Sequence, residues 1–488
     1  MISASINIKS LLFKNGELRQ TIFKNTFWLV IGESFTRFLK LFLIIYVARI
    51  LGVTEYGKFT FALSFVSLFA VFSDFGLSTI TIRELSQEKE KDFPFIFSLK
   101  TFLSLGALIL IFVGSFLITP DTVIRKLIWI LAVYILIDSF SGIFYCFFRA
   151  RQKMEYESFA RIFQAIIVTG AGFFIIFNFP STQNLSFSYL FATVLTFFFI
   201  LLFFRFKFYP LKLSFDKIIW QNLLKMVWPL GLTGMLSGVY GNIGSIIMGN
   251  LGQITEAGWY NAALKIVGIA LLPVGLISAS FFPVLSKLFK ESKESLQKTW
   301  NYYIEIMIFF AVPLTVGGII LAPKIIDFVY DPNYFPSILA FQILIVMVSF
   351  SFILIPFSQM LIISDHQKNN LWITFIGATT SIVLGLILIP RYSLYGAAIA
   401  ILISTILMFF LFFIFSVRIT HINPINLSMV FHTIGVLIAS ALMYFVISRQ
   451  GIYNLYILKS ILVGIATYLI SFLGYKKIAS NFLNIKNF

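Results

Sequence analysis

The sequence predicts an all-α protein that crosses a membrane many times. Of its 488 residues, 59% are hydrophobic and only 12% are charged, whereas a typical soluble domain carries about 25% charged residues. The mean hydropathy is +0.94. Apolar runs of about 20 residues, the length of a membrane-spanning helix, recur along the chain. These runs are continuous, which excludes the alternating pattern of a transmembrane β-barrel.

The apolar runs predict about fourteen spans, and an even number places both termini on one side of the membrane. Of the 37 lysines and arginines, 23 fall in the termini and the even-numbered loops, and 7 fall in the loops on the other side. Because basic residues accumulate on the cytoplasmic side, we expect both termini in the cytoplasm. The predicted spans lie near residues 26–48, 58–82, 95–119, 126–148, 158–178, 186–205, 222–250, 258–285, 300–323, 335–362, 371–389, 394–416, 428–447 and 454–475.

A weak internal repeat divides the chain into two lobes. Thr54-Glu55-Tyr56-Gly57, after span one, matches Thr255-Glu256-Ala257-Gly258, after span seven. Arg151-Gln152-Lys153, after span four, matches His366-Gln367-Lys368, after span ten. Both matches fit a six-span unit repeated in parallel orientation. The predicted parts are a cytoplasmic segment (1–25), a first lobe with six helices (26–210), a second lobe with six helices (211–416) and a C-terminal part with two helices and a tail (417–488).

The first span carries three charges, Glu33, Arg37 and Lys40. Their i, i+4, i+7 spacing places them on one face of a helix. A charge near mid-bilayer costs about 2.5–3.5 kcal/mol on insertion scales, so such residues usually face the bundle interior or a hydrated cavity. One interpretation is a structural pair between Glu33 and Arg37. The other is a water-filled cavity with a cationic wall, which Lys40 favours because it has no acidic partner at helical spacing.

Further charged residues lie within the other predicted spans. Asp74 and Asp138 are candidates for pairing with Arg37 or Lys40. Glu33, Asp74 and Asp138 are candidates for a gating or ion-coupling role. Lys265 in span eight either faces the same cavity or extends to the outer interface. Near the cytoplasmic ends of other spans, extension to the interface or lining of a cavity mouth is expected for Lys100, Arg161, Lys225 and Glu305.

Span seven carries a glycine series that follows Pro229. Its members, Gly231, Gly234, Gly238, Gly241 and Gly244, are three or four residues apart and share one stripe of the helix. Small residues permit close helix packing, whereas proline removes a helix hydrogen bond and favours a bend. We therefore consider Pro229, Gly231, Gly234 and Gly238 as a hinge, with close packing as the alternative.

Several classes of function are disfavoured. The sequence has no phosphate-cradling P-loop, zinc-protease motif or nucleophile elbow, so an enzyme is not predicted. One cysteine and three histidines without metal-ligand spacing predict no metal site and no cofactor. The net charge of +17 follows from the basic cytoplasmic loops rather than from a nucleic-acid-binding surface. No cleavable signal peptide is expected.

Four short segments resemble the polysaccharide repeat-unit flippases (O-antigen, Wzx type) of the multidrug/oligosaccharidyl-lipid/polysaccharide exporter superfamily. They are Arg49-Ile50-Leu51-Gly52 followed by Glu55-Tyr56-Gly57, then Asp74-Phe75-Gly76-Leu77, then Arg149-Ala150-Arg151-Gln152-Lys153-Met154, and Pro390 followed by Tyr395-Gly396-Ala397-Ala398. The resemblance covers about residues 22 to 416. It implies two six-helix lobes around a central cavity that opens alternately to each side. Arg37 and Lys40 match the basic positions of the family's first span, and Lys265 matches the eighth-span position approximately.

The resulting hypothesis is a flippase in the cytoplasmic (inner) membrane. It would carry an undecaprenyl-pyrophosphate-linked oligosaccharide to the outer leaflet for surface polysaccharides such as the O-antigen of lipopolysaccharide. The expected partners are this lipid-linked oligosaccharide, membrane lipids, and the polysaccharide polymerase with its chain-length machinery. The alternatives are a peptidoglycan-precursor flippase, a multidrug antiporter, a non-transporting scaffold of a polysaccharide-assembly complex, and a membrane glycosyltransferase or polymerase.

Overall fold

A computed structural model describes residues 18–87, 92–208, 213–423, 426–449 and 456–483. These residues form α-helices and short connections, among them the 3₁₀ turn Pro332–Tyr334, and no strand occurs within the described ranges. The helices are α1 (Leu18–Asp74), α2 (Leu77–Ser86), α3 (Phe93–Ile118), α4 (Thr122–Ala150), α5 (Met154–Asn178), α6 (Thr182–Lys207), α7 (Lys217–Asn250), α8 (Ile254–Ala270), α9 (Leu272–Glu291), α10 (Lys293–Val329), α11 (Ser337–Ile363), α12 (Gln367–Thr420), α13 (Leu427–Ser448) and α14 (Ile457–Leu483).

The predicted all-α membrane fold is confirmed. Within the described ranges, eleven helical stretches are long and apolar enough to span a membrane, or twelve if the bent helix α7 is one span. Two of these stretches contain an internal break, at Gly52 in α1 (φ 77°, ψ 172°) and at Ser393 in α12 (φ 51°, ψ −128°). The arms on both sides of each break are long enough to cross the bilayer by themselves. The count of fourteen spans nevertheless stays a prediction.

The chain divides into two compact units, and the boundary between them in the sequence follows Asn242, within α7. The first part of α7 belongs to the first unit because it buries Leu223 and Val227 in that unit's core, against Leu99 and Phe144 among others. The predicted lobe boundary between residues 210 and 211 stays a prediction. Residues 1–17, most of the predicted cytoplasmic segment, lie outside the described ranges.

The core of the first unit is rich in phenylalanine. Phe93, Phe144, Phe147 and Phe204 are almost fully buried, and their rings pack at centroid distances of 4.8 to 5.7 Å. Edge and tilted contacts of this kind add to the dispersion gained by burying the rings. This packing fixes the ends of α3, α4 and α6 next to the loop that joins α4 to α5.

The two units repeat two left-handed backbone positions. Gly52 and Gly252 have φ values of 77° and 74°, and each follows the end of a long helix. Gln152 and Asp365 have φ values of 55° and 63° and follow α4 and α11. The repeat predicted from the sequence therefore coincides with repeated local geometry.

The register of the second sequence match was wrong by two residues. The N–H of Lys153 donates to the carbonyl of Phe148, and the N–H of His366 donates in the same way to the carbonyl of Leu361, each at 2.8 Å. These turns align Lys153 with His366 rather than with Lys368. The sequence match found the correct loop, but its shared Gln-Lys pair does not occupy equivalent positions. The backbone hydrogen bonds, and not the side chains, define the turn.

Candidate functional site

The first arm of α1 presents Glu33, Arg37 and Lys40 on one face, as the sequence predicts. Arg37 Nε donates to Glu33 Oε1 at 2.7 Å, and the two side chains are 55% and 47% exposed respectively. Lys40 is half-buried and forms no ion pair with any residue of the described ranges. The predicted Glu33–Arg37 pair is thus present. Lys40 leaves positive charge on the same face, and a water-filled cavity with a cationic wall stays a prediction.

A second group of charges, not predicted from the sequence, joins α4 to α5. Glu157 is fully buried and accepts two hydrogen bonds from Arg149, from Nε and Nη2, each at 2.7 Å. Arg161 Nε donates to the same carboxylate at 2.8 Å, and its guanidinium lies 4.7 Å from the centre of the Tyr145 ring. One carboxylate thus holds two guanidinium groups, which leaves an excess positive charge. The expectation that Arg161 extends to the interface is corrected, because Glu157 retains it one helical turn away.

Close packing of α1 on α5 places the two groups side by side. A Cβ added to Gly32 would lie 2.8 Å from the Cβ of Ser158, and Ser158 Oγ donates to the Trp28 carbonyl at 2.6 Å. Further along, Gly172 lies against Leu43, so the two helices run in the same direction. Only a glycine at position 32 permits this approach.

We name these residues the cationic cluster: Glu33, Arg37, Lys40, Arg149, Glu157 and Arg161. The positive charges of Arg149 and Arg161 both act on the Glu33 carboxylate, although neither contacts it directly. The four basic and two acidic side chains carry a net formal charge of +2. The cluster therefore has the charge and the guanidinium donors that suit a phosphate-bearing ligand.

The loop after α4 is fixed to the beginning of α1. Lys24 Nζ lies 3.1 Å from Glu155 Oε2 and donates to the Gln152 carbonyl at 3.1 Å. Both charged side chains are buried, at 1% and 8% exposure. A buried pair of this kind is sensitive to loss of either partner. The segment from Arg149 to Met154 therefore has a structural role. Its anchored turn holds the end of α4, and with it Arg149, next to Glu157.

Asp74 pairs with neither Arg37 nor Lys40, so that expectation was wrong. Its Oδ1 accepts from Lys100 Nζ at 3.0 Å and from Ser78 Oγ at 2.6 Å. Lys100 is 1% exposed and also donates to Ser139 Oγ at 2.7 Å. The expected extension of Lys100 to the interface is wrong as well, because the aspartate and serine bind its ammonium inside the first unit.

Asp138 also lies apart from the cationic side chains. Its Oδ1 accepts from Gln164 Nε2 at 2.9 Å, and the same amide nitrogen donates to Thr193 Oγ1 at 3.0 Å. The predicted pairing of Asp138 with Arg37 or Lys40 is absent from the described residues. A gating or ion-coupling role for Glu33, Asp74 or Asp138 stays a prediction.

The glycine series of α7 follows a bend. The segments Lys217–Pro229 and Gly231–Asn250 meet at an angle of 44°. A Cβ on Gly231 would lie 2.7 Å from Phe75 Cγ and 2.8 Å from the Phe75 carbonyl oxygen. Gly234 and Gly238 each approach Val71 to 3.3 Å by the same measure. Close packing therefore accounts for these three glycines, and hinge motion at Pro229 stays a prediction.

Lys265 lies on α8, in the second unit, and its side chain is half-buried. Its predicted contribution to the same binding site as Arg37 and Lys40 stays a prediction.

The contacts that join Arg149, Glu157 and Arg161 were not predicted from the sequence, although one signal was available. Glu157 and Arg161 have the i, i+4 spacing of a helical ion pair. The contact of Arg149 with Glu157 crosses the turn at Gln152. The left-handed conformation of Gln152 could not be predicted from the local sequence.

Helical units with repeated backbone turns and a cationic cluster within membrane-spanning helices are typical of one class of protein, the polytopic flippases and transporters. The family model described as polysaccharide biosynthesis protein matches residues 22–289. This is more than half of the chain, and the chain belongs to that family. The resemblance to polysaccharide flippases noted in the sequence is thereby confirmed.

Individual proteins agree with this assignment. The capsular polysaccharide biosynthesis protein CapF of Staphylococcus aureus is 23% identical over 406 residues, which cover 81% of this chain and 99% of CapF. The lipid II flippase MurJ, in an inward closed conformation, has a similar structure, with a TM-score of 0.76 at 20% identity over 93% of this chain and 99% of that one. An inward-facing multidrug-resistance MATE transporter of the MOP superfamily has a TM-score of 0.65 at 15% identity, covering 80% of this chain and 98% of that one.

Proposed function

We propose that this protein is a flippase that moves an undecaprenyl-pyrophosphate-linked oligosaccharide from the cytoplasmic to the outer leaflet of the cytoplasmic membrane, with both termini in the cytoplasm. Sugars and pyrophosphate do not cross hydrocarbon unaided, because their polar groups lose water there without replacement. A hydrated cavity with a cationic wall hosts the polar head while the lipid tail stays in the bilayer.

The observation that carries the proposal is the excess positive charge of the cationic cluster. Arg37 remains more than half exposed despite its bond to Glu33, so its guanidinium still has free donors for a phosphate fork. Lys40 adds a point charge one turn further along. Lys265 would add the contact from the second unit.

The membrane potential is a sufficient energy source in this scheme. One elementary charge is worth about 2.3 kcal/mol per 100 mV. Moving a dianion outward from an inside-negative cytoplasm therefore gains about 4–5 kcal/mol per 100 mV. A coupled ion is not required, although one would add to this driving force.

The test is flipping of lipid-linked oligosaccharide in vesicles that contain the purified protein. Replacement of Arg37 by Ala is expected to lower the flipping rate about tenfold or more, because a charged hydrogen bond is worth about 1.5–3 kcal/mol. Arg37→Lys is expected to be intermediate, since lysine keeps the charge but loses the fork. Arg391→Ala serves as the matched control because Arg391 is exposed and lies outside the cluster. Full activity of both Arg37 variants would rule out its contact with the substrate.

A second candidate is a flippase for a peptidoglycan precursor, which the structural similarity to MurJ favours. Lipid II and a lipid-linked oligosaccharide, supplied to the same vesicles in parallel, distinguish the two. A multidrug antiporter is disfavoured, because cationic drugs require an acidic cavity and the cluster is positive. A scaffold without transport activity would still support polysaccharide assembly after charge reversal at Arg37 and Lys40.

A further inference from the structure

The second unit contains a small polar cavity that the proposed transport function does not use. It has a volume of about 190 Å³ and lies between α10, α13 and α14. Its lining combines three ionisable groups with hydroxyls and apolar side chains, contributed by Tyr302, Glu305, Ile306, Phe309, Ser428, His432 and Lys476. The side chains that line it come from α10, α13 and α14.

The acidic group in this cavity is poorly satisfied. The Glu305 carboxylate is half-buried and accepts one long hydrogen bond, from Ser428 Oγ at 3.3 Å. No described residue forms an ion pair with it. A partly buried carboxylate is normally paired or bound by several donors. The free oxygen of Glu305 is therefore a site for a positively charged donor.

The two other ionisable groups of the cavity are His432 and Lys476. His432 Nε2 lies 3.0 Å from the Glu305 carbonyl, and because a carbonyl only accepts, Nε2 carries a proton. In the neutral ring Nδ1 is then an acceptor, and His432 lines the same cavity as Glu305. Lys476 acts on both Glu305 and His432 through its charge but forms no ion pair with Glu305 in the described structure. A carboxylate and an ammonium thus line one cavity without contacting each other.

The position of the cavity in the membrane fits a lipid headgroup. Ser428 belongs to the first turn of α13, and Lys476 to the last two turns of α14. The basic-residue count places both helix ends on the cytoplasmic side. Tyr302 is exposed beside them, as is common for tyrosine at a membrane interface. Ile306 lies one turn further along α10, on the side toward the hydrocarbon.

We propose that this cavity binds the headgroup of a phospholipid with a primary ammonium, of the phosphatidylethanolamine class, in the cytoplasmic leaflet. The lipid ammonium donates to the Glu305 carboxylate and to His432 Nδ1. The lipid phosphate accepts from Lys476 and from the Tyr302 hydroxyl, and the glycerol and acyl chains lie along Ile306 and Phe309. The bound lipid holds α13 and α14 against α10. This assignment does not depend on the identity of the transported substrate.

The experiment measures lipid retention on the full chain by native mass spectrometry, after exchange into detergent with phosphatidylethanolamine, phosphatidylcholine or phosphatidylglycerol. Phosphatidylethanolamine is expected to be retained best. The trimethylated ammonium of phosphatidylcholine donates no hydrogen bond, and phosphatidylglycerol places no cation at Glu305. Equal retention of the three lipids would overturn the proposal.

Two variants separate the two halves of the site. Glu305→Gln is expected to lower phosphatidylethanolamine retention roughly tenfold, the effect of one lost charge-assisted hydrogen bond, and to abolish the preference over phosphatidylglycerol. Lys476→Gln, at an exposed position that tolerates substitution, is expected to weaken both phospholipids alike. Glu294→Gln is the matched control on α10, since Glu294 is exposed and pairs with Lys298 outside the cavity.

Three results would contradict the assignment. Unchanged retention in Glu305→Gln excludes recognition of the ammonium. Tighter phosphatidylglycerol binding than phosphatidylethanolamine binding in the unmodified chain indicates a site for anionic lipids instead. Displacement of the lipid by millimolar glycerophosphoethanolamine would show that the cavity binds a soluble zwitterion, so that the membrane is not its source.

Discussion

The two repeated units use the same backbone turns but distribute their charges differently. Alignment of Gln152 with Asp365 places Glu157 opposite Asn370 and Arg161 opposite Thr374. Asn370 is neutral and donates to the hydroxyl of Ser358 at 2.7 Å, whereas Glu157 holds two arginines. The turn is therefore compatible with either a neutral or an ionic bond across it.

The first spans of the two sequence repeats differ in the same way, although this part of α7 belongs to the first compact unit. Alignment of Gly52 with Gly252 places Thr233, Ser237 and Tyr240 where α1 has Glu33, Arg37 and Lys40. The glycine series occupies this part of α7 in place of a charged face. The two repeats thus share these backbone turns but not the charges beside them.

The exits from the two first spans also share a tether. Thr182 Oγ1 donates to Glu55 Oε2 at 3.0 Å in the first unit, and Ser393 Oγ donates to Gln253 Oε1 at 3.0 Å in the second. A hydroxyl at the start of α6 or at the break in α12 thus donates to a side chain one to three residues after a positive-φ glycine. Again the geometry is repeated, and only the first unit uses a charged acceptor.

The largest expected effect tests whether the ion pairs of Glu157 are essential for the stability of the first unit. Glu157→Gln removes the carboxylate that both guanidinium groups share, and loss of one partner of a buried ion pair costs about 3–5 kcal/mol. The change is expected to lower the thermal unfolding temperature of the purified protein in detergent by several degrees or to prevent folding. The matched change Glu33→Gln breaks an exposed pair worth about 0–1 kcal/mol. Equal effects of the two changes would show that burial of Glu157 has no energetic consequence.

A medium effect is expected where α7 contacts α1. Gly231→Ala introduces a Cβ within 3 Å of the Phe75 ring and of its carbonyl oxygen. Overpacking of this kind costs about 1–3 kcal/mol, and the backbone oxygen cannot rotate away. Gly241→Ala, with nothing within 4 Å of the new Cβ, is the control and is expected to be neutral or slightly stabilising. If Gly231→Ala unfolds at the same temperature as the control, the backbone at the Pro229 bend shifts enough to accommodate the added methyl group.

Sequence reasoning was most successful where one helix decides the outcome. Hydropathy locates the spans because the bilayer imposes a length on each apolar run separately. The Glu33–Arg37 pair follows from i, i+4 spacing on a single helix.

Contacts between helices were beyond its reach. Lys100 lies 26 positions after Asp74, on another helix, and nothing in the spacing of the two residues links them. Hydropathy treats each as a charge near a membrane surface, which led to the wrong expectation for Lys100. The His366 register failed for a related reason, because similar letters were aligned in place of similar hydrogen bonds.

The smallest expected effect tests the shared turns directly. Gly52→Ala and Gly252→Ala each place a Cβ on a residue with φ near +75°, and a side chain in an unfavourable backbone conformation costs about 1–3 kcal/mol. Neither position has an atom within 4 Å of the new Cβ, so backbone strain is the whole penalty. Both substitutions should therefore lower the unfolding temperature. The helical positions Gly142 and Gly268, which are equally open, provide a control in each unit. A penalty at Gly52 without one at Gly252 would mean that the second unit does not depend on its turn, and the repeat would then be one of sequence alone.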